Sequence, residues 1–398
     1  MNMWPEDQLL LWCARTKLSK DNQDKIRKLA SNGLDWDYLL QMSKSHGLAP
    51  LLYYHLHRID HNHQVPQPIM DQLHEIYYSN LARNIPLSYE LDKILNVFEK
   101  KGIPIVVLRG LALAQTIYKN IALRVTADID LLVQKKDLSR VAKTLLELKF
   151  RSPQWELITK EYSAELCFAK QGAAGGKYLS SVVIDVHQDI TSSIRLKEII
   201  KTDAEQVITK ARPVRIKDVN MLVMTPEDLV LHLTLRHCFQ RLTRLCDIAE
   251  VIKINKDELN WQFLLQKAKE NRLSTIMYYT LYYARQLLEA PVPGHVLKEL
   301  TPNWSRKKLL DSVLSRAVYP ADPGSLSRTR KYFLQILMPD RLIDVFLVLW
   351  RVMFPPSEWL VYYYGYPRSK KLYLSHLFNL FTILLAGMRD MLKVSSKK

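Results

Sequence analysis

The apolar residues change their spacing twice along this chain, and that change limits the folds open to it. Residues 1–100 carry apolar side chains at helical intervals. Short β-branched runs replace them between residues 103 and 190. Helical patterns return at Thr225 and fill most of the chain as far as Lys393. We therefore predict an α+β fold, in which a small mixed sheet of about four or five strands is flanked by N-terminal and C-terminal helical domains.

The strand candidates and the breaks between patterns suggest a division of the chain. The buried-strand candidates are residues 103–108, 127–133, 162–169 and 182–190. Pro86 is expected to break or start the long helical pattern that ends near residue 101. We predict four regions: an N-terminal helical domain (1–85), an α/β core (86–222), a helical domain (223–300) and a basic helical region (301–398).

One helical unit occurs twice in the sequence. Residues 34–56 align without a gap to residues 259–281, with 10 of 23 positions identical. The offset of 225 residues is too long for a solenoid repeat, so we interpret it as one helix-pair unit used twice, before and after the α/β segment of the sequence. Asp35 precedes the first of these helices and is expected to cap it.

The charge of the chain favours anionic partners. It has 57 Lys and Arg against 40 Asp and Glu, a net charge of +17 over 398 residues. Residues 302–398 alone hold 16 basic and 6 acidic side chains, a net charge of +10. Nucleotides, phosphorylated substrates, nucleic acid and anionic membrane surfaces are all compatible with this charge.

Other features bear on the compartment of the protein. The four cysteines form no C-x-x-C pair and are expected to be reduced thiols. We find no signal peptide and no apolar stretch near the ~20 residues that an integral membrane segment needs. We therefore expect a cytoplasmic protein. Residues 374–385 are amphipathic and are expected to dock on the protein body rather than lie on a membrane.

Two carboxylates in one strand candidate are the strongest chemical signal. Asp128 and Asp130 are two residues apart, so a strand would place both on the same face, ~7 Å apart along its axis. Like charges at this spacing need a cation between them, and oxygen ligands suit Mg²⁺ or Mn²⁺. The D-x-D spacing is common by itself, because Asp35 and Asp37 share it at a helix start.

A third carboxylate lies in a later strand candidate. Asp185 and His187 are again two residues apart and share a face. Three carboxylates on one sheet face favour a metal site over an apolar core, because a buried unpaired carboxylate is costly. The alternative is a set of ion pairs with Arg109 or Arg124.

Together these segments resemble a known family. Residues 108–118, Arg124, residues 128–133 and residues 184–187 are similar to the signature of an uncharacterised bacterial nucleotidyltransferase family in the DNA polymerase β-like superfamily. The resemblance covers roughly residues 30–290. It implies that Asp128 and Asp130 bind two Mg²⁺ or Mn²⁺ ions, and that Asp185 binds one of them and serves as the base. It also implies contacts to the nucleotide from Arg109, Gly110, Arg124, His187 and Arg244, with Asp247 and His237 near the acceptor.

The sequence departs from the superfamily at the start of the helix before the D-x-D motif. Gly110 is followed by Leu and Ala, where better-known members have Gly-Ser or Gly-Gly. Arg109 and Arg124 would then supply phosphate contacts, assisted by the helix dipole at Gly110. The donor is therefore expected to be a nucleoside triphosphate or a nucleotide-sugar.

Three functional hypotheses follow from these features. The first is metal-dependent transfer from a nucleotide donor to a hydroxyl or phosphate acceptor. Relatives of the resembled family occur beside genes for lasso peptides and polysaccharides, so the acceptor is expected to be a peptide or another anionic molecule. The second is glycosyl transfer from a nucleotide-sugar to a phosphorylated peptide in the same cleft. The third is non-enzymatic binding of nucleic acid or a phosphopeptide, which is compatible with the charge but less favoured.

Overall fold

A computed structural model describes most of the chain. The described residues are 3–59, 64–152, 165–171, 181–191, 200, 203–216, 218–235, 241–314, 338–357, 360, 364 and 372–382. Five helices precede the sheet: α1 (Pro5–Cys13), α2 (Lys20–Ala30), α3 (Trp36–His46), α4 (Ala49–Ile59) and α5 (Gln67–Lys100). They confirm the helical prediction for the first hundred residues.

A six-stranded mixed sheet follows, which confirms the α+β class. Its strands are β1 (Ile105–Val107), β2 (Ile129–Val133), β3 (Glu165–Gln171), β4 (Ser181–His187), β5 (Arg212–Ile216) and β6 (Val219–Val223). Their order across the sheet is β3-β4-β2-β1-β6-β5, with β2 parallel to β4 and antiparallel to β1. Between the strands, the described residues include the α-helices α6 (Leu111–Thr116), α7 (Leu138–Glu147) and α8 (Ala204–Lys210).

The sheet has more strands than the sequence predicted. The hairpin of β5 and β6 was missed, so the expected four or five strands become six within the described residues. Strand β5 lies at the sheet edge and contains Arg212, Pro213 and Arg215, so it lacks the apolar run of a buried strand. Strands β3 and β4 are antiparallel, and their register pairs Gln171 with Ser181.

The prediction that Pro86 breaks a helix was wrong. Helix α5 is continuous for 34 residues and Pro86 lies inside it. Buried side chains on both sides, including Asn84 and Leu87, hold the helix against the protein body. This tertiary packing compensates for the backbone hydrogen bond that a proline removes. The four-region division remains a prediction, and its first boundary falls within this helix.

Helices dominate the chain after the sheet. They are α9 (Pro226–Leu235), α10 (Leu242–Ile254), α11 (Trp261–Glu270), α12 (Ser274–Leu288), α13 (Gly294–Leu300), α14 (Trp304–Leu314) and α15 (Leu342–Met353). Residues 372–382 form a further helix. Helix α10 is buried on nearly all sides, and its side chains share one apolar core with those of α1, α3 and α4. No helix in the described ranges has the length and apolar character that crossing a bilayer requires.

The repeated helix pair is confirmed, and the repeat extends further than the sequence comparison showed. It corresponds to α3–α4 and α11–α12, and Asp35 and Asn260 cap the equivalent helices through the amides of Tyr38 and Phe263. Helices α1 and α9 both begin with Pro-Glu-Asp. The glutamates of these motifs make the same contact, because Glu6 accepts from the amide of Asp35 and Glu227 from that of Asn260, each at 2.8 Å.

The two faces of the sheet have separate surroundings. Ile129 and Leu131 of β2 pack into an apolar cluster with the C-terminal half of α5 and with α7. Because side chains alternate along a strand, Asp130 points to the opposite face. That face is the one on which the candidate site lies.

Candidate active site

Three carboxylates meet on this face of the sheet. Strands β2 and β4 are parallel neighbours, and their register pairs Asp130 with Asp185. Asp128 directly precedes β2. One carboxylate oxygen from each residue lies within 4.8 Å of the other two. The structure therefore brings together the three residues that the sequence singled out.

Asp130 is the buried member of the group and has two cationic or polar partners. Its Oδ1 accepts hydrogen bonds from Nη2 of Arg109 (2.8 Å) and Nε2 of His187 (3.0 Å). Nε of Arg109 lies 2.8 Å from Oδ2 as an ion-pair contact. Burial alone would raise the pKa of Asp130, but His187 and Arg109 hold it well below its usual value. Asp130 is therefore a permanent anion at neutral pH.

The geometry of this group suits a divalent cation. Oδ2 of Asp130 is buried and receives no well-aligned hydrogen bond from the described residues. The cation that faces this oxygen is the guanidinium of Arg109, at 2.8 Å, so a metal ion would share Oδ2 with Arg109 or displace it. Carboxylate oxygens from three residues are the ligands that Mg²⁺ and Mn²⁺ prefer. Asp128, Asp130 and Asp185 can thus hold such an ion.

Gly110 lies between Arg109 and helix α6, against the loop that carries Asp128. Its φ of +61° and ψ of −109° form a conformation that side chains disfavour. A Cβ at this position would lie 3.1 Å from Cγ2 of Thr126 and 3.4 Å from the carbonyl oxygen of Asp128. Glycine is needed here because the two backbone segments approach each other closely.

We expect the substitution Gly110→Ala to destabilise the protein and disturb the carboxylate group. The strained backbone alone should lower the free energy of unfolding by about 1–3 kcal/mol. The added methyl group should also displace Asp128 and weaken Mn²⁺ binding. Gly33→Ala is a matched control, since Gly33 has a φ of +69° but nothing within 4 Å of its Cβ position. Equal losses of stability and unchanged Mn²⁺ binding in both variants would contradict this account.

Side chains from α5 fix the loop that leads to Asp128. Nδ2 of Asn80 donates to the carbonyl of Ala122 (2.8 Å), and Nδ2 of Asn84 donates to the carbonyl of Arg124 (3.0 Å). Both asparagines are buried. They lie one helical turn apart on an otherwise apolar helix face. This pattern of two polar residues was a signal in the sequence that we missed.

A buried ion pair fixes the same loop from the other side. Arg124 meets Asp247 of α10 through two parallel hydrogen bonds, Nε to Oδ1 (2.9 Å) and Nη2 to Oδ2 (2.7 Å). Tyr118 donates its hydroxyl to Oδ1 of Asp247 (2.8 Å). Burial would lower the pKa of Arg124, but Asp247 raises it above its usual value. Arg124 therefore stays charged although it is buried.

The remaining predicted site residues lie at different distances from the carboxylates. His187 is buried and contacts Asp130 directly. Arg244 is half-buried on α10, one turn before Asp247. His237 lies outside the described residues. His232 is a buried residue whose Nδ1 donates to the carbonyl of Ile190 (3.0 Å).

The segment of the chain that carries the three carboxylates also matches a known protein family. The family described as uncharacterised nucleotidyltransferase matches residues 32–289, which include the whole sheet and both copies of the repeated helix pair. No curated protein matches the chain. Because the family match covers well over half of the sequence, the chain belongs to the uncharacterised nucleotidyltransferase family.

Proposed function

We propose that the protein transfers a nucleotidyl group from a metal-bound nucleoside triphosphate to a hydroxyl or phosphate group of an anionic acceptor. The observation that carries this proposal is the group of three carboxylates on neighbouring parallel strands, with Arg109 against its buried member. The net charge of +17 supports an anionic acceptor such as a phosphorylated peptide. Family membership supports the nucleotide donor.

Each residue of the group has a distinct task in this proposal. Asp128 and Asp130 would hold Mg²⁺ or Mn²⁺, in one or two ions, with Asp185 as a further ligand. The ions would neutralise the phosphates of the donor and the charge that develops during transfer. His187 and Arg109 keep Asp130 ionised and oriented. Asn80 and Asn84 fix the loop before Asp128, so the carboxylates are positioned before any ligand arrives.

The proposed transfer is a single displacement at the α-phosphorus of the donor. An oxygen of the acceptor forms a bond to the α-phosphorus of the donor. The bond from that phosphorus to the pyrophosphate oxygen breaks, and pyrophosphate leaves with the electron pair. The proton of a hydroxyl acceptor passes to the carboxylate of Asp185, which is half-buried and faces the same site.

We assign Arg124 and Asp247 to positioning rather than to direct contact with substrate. Each engages the other through two hydrogen bonds, and both are buried. A phosphate contact by Arg124 would require breaking this pair. Among the predicted arginines, Arg109 is the better candidate for the phosphates, because it already lies beside Asp130 and its side chain is partly accessible.

One observation favours the glycosyl-transfer alternative. The first turn after Gly110 is Leu111-Ala112-Leu113, and all three residues are buried. This turn therefore offers no side-chain hydroxyl for the third phosphate of a triphosphate. A nucleotide-sugar, with two phosphates, would need one contact fewer. In this alternative a sugar passes to the acceptor phosphate, and a nucleoside diphosphate leaves.

Arg109 should compete with metal for Asp130 when no nucleotide is present. Arg109→Ala removes the competing cation, and hydrogen bonds to charged groups contribute about 1.5–3 kcal/mol. We therefore expect Mn²⁺ to bind about tenfold more tightly to this variant in the absence of nucleotide, measured by calorimetry. Nucleotide binding should weaken, because a phosphate contact is lost. Arg140→Ala, which removes an exposed arginine from its ion pair with the buried carboxylate of Asp137, is the matched control. Weaker Mn²⁺ binding to Arg109→Ala would refute the competition.

The released product separates the two transfer reactions. The full chain would be incubated with Mg²⁺, a phosphorylated or hydroxylated peptide acceptor, and each nucleoside triphosphate or nucleotide-sugar in turn. Pyrophosphate release with a mass increase of the acceptor by one nucleotide supports the proposal. Release of a nucleoside diphosphate with transfer of a hexose supports the alternative. Transfer that continues unchanged in the presence of EDTA would overturn both.

A further inference from the structure

The C-terminal helices turn apolar side chains toward solvent. On α15 the exposed residues are Ile343, Phe346, Trp350 and Met353, at intervals that place them on one helical face. Their exposed fractions are 39–66%. A surface helix of a globular protein normally has the opposite arrangement, with its polar residues outward.

Polar contacts on the inner side fix α15 in this orientation. Asp344 is fully buried and pairs with Nη1 of Arg272 at 2.7 Å. Just before the helix, the carboxylate of Asp340 accepts from the amides of Ser274 and Thr275, each at 2.8 Å. Val348 is also fully buried. The helix is thus attached to the protein through these residues, and its apolar face cannot turn inward without breaking the ion pair of the buried Asp344.

The helix at residues 372–382 repeats the arrangement. Nε2 of His376 donates to the carbonyl of Val352 (2.8 Å). The hydroxyl of Tyr373 donates to the carbonyl of Pro355 (3.0 Å). These contacts attach it to the end of α15. The sequence led us to expect docking of this segment on the body, but large apolar side chains remain 58–68% exposed: Leu374, Phe378 and Phe381.

Charge complementarity indicates what covers these side chains. Seven of the 16 large apolar residues exposed in the described chain lie on these two helices, and we call them the C-terminal apolar face. Residues 302–398, the part of the sequence to which both helices belong, have a net charge of +10 and lie beyond the family match. A second copy would bring two strongly basic regions together. Nucleic acid would satisfy the charge but leave the apolar face uncovered.

We propose that the C-terminal apolar face docks on the surface of an anionic lipid bilayer. Helices with Trp, Phe and Leu on one face and basic residues nearby bind at the boundary between headgroups and acyl chains. Basic side chains near such a surface are attracted to its anionic lipids. The protein would lie on the membrane, since no described helix has the properties of a membrane span. This would hold the transferase close to the membrane surface.

The test is flotation of the full chain with lipid vesicles. We expect binding to vesicles of phosphatidylcholine with phosphatidylglycerol to be at least tenfold stronger than to phosphatidylcholine alone, and to weaken as salt rises. The variant Phe346→Ser/Trp350→Ser should lose at least tenfold in binding and remain folded, because both side chains are exposed. Trp304→Ser/Leu309→Ser removes two exposed apolar side chains of α14 and should bind as the wild type does.

Four outcomes would overturn the proposal. The first is no binding to anionic vesicles, and the second is equal binding to both vesicle types. The third is vesicle binding that Phe346→Ser/Trp350→Ser leaves unchanged. The fourth is a dimer in solution that dissociates in this variant, which would assign the C-terminal apolar face to a second copy. None of these outcomes depends on the transferase activity, so the two proposals fail separately.

Discussion

The variant Asp128→Asn/Asp185→Asn is expected to lose binding of Mn²⁺ by at least about a hundredfold. Substitution of residues that only orient metal ligands already costs about 10–100-fold in affinity, and these two residues would be ligands themselves. Transfer activity should fall below detection, because the donor phosphates would have no cation to neutralise them. Calorimetry with Mn²⁺ and the product assay measure the two effects.

The choice of these two residues follows from the contacts of the third. Asp130 is the carboxylate that Arg109 and His187 both contact, so its removal would take away the anion that Arg109 pairs with and the oxygen that His187 hydrogen-bonds. Leaving Asp130 in place separates loss of metal binding from loss of folding. Asp35→Asn/Asp37→Asn is the matched control, since it removes two carboxylates at the same spacing and asparagine still caps a helix. Mn²⁺ binding that survives in Asp128→Asn/Asp185→Asn would contradict the site.

Asp247→Ala is expected to cost about 3–5 kcal/mol in the free energy of unfolding, measured with denaturant. The substitution leaves the guanidinium of Arg124 buried without its counter-charge, and it removes the nearer of the two acceptors of the Tyr118 hydroxyl. Glu258→Ala removes one member of the exposed ion pair with Arg212 and should cost less than about 1 kcal/mol. The difference between the two variants reflects the burial of the pair.

The double variant Arg124→Met/Asp247→Leu distinguishes positioning from substrate contact. Apolar replacement of a buried ion pair is often neutral, so at least half of the lost stability should return. If the pair only fixes the loop before Asp128, nucleotide binding by the double variant should differ little from that of the wild type. If Arg124 contacts phosphate instead, nucleotide binding should stay weak in Arg124→Met/Asp247→Leu although the stability has returned.

The sequence was sufficient to find the carboxylates because strand geometry is local. Residues two apart in a strand share a face, so Asp128 with Asp130, and Asp185 with His187, could each be paired without a structure. The spacing itself was uninformative, as Asp35 and Asp37 show by capping and starting a helix. The surrounding β-branched residues separated the two cases.

Contacts between distant segments could not be predicted in the same way. Arg124 and Asp247 are 123 residues apart, and no periodic pattern links a loop to a buried helix. The family resemblance led us to assign both residues to ligand contacts, and the ion-pair alternative for Arg124 was considered only with the three carboxylates. We predicted a helix break at Pro86 from the local effect of proline on a helix. Helix α5 is nevertheless continuous, because it packs against the protein body on both sides of Pro86. Edge strand β5 was missed because its side chains are largely exposed.

Nucleotide binding by calorimetry, with and without Mg²⁺, tests the central claim most directly. The wild-type chain would be titrated with ATP, GTP, CTP, UTP and UDP- and GDP-sugars, first in Mg²⁺ and then in EDTA. The three-carboxylate site predicts that one class of donor binds in Mg²⁺ and that this binding is lost in EDTA. Equal binding in both conditions, or no binding of any donor by folded protein, would contradict a metal-dependent transferase site at Asp128, Asp130 and Asp185.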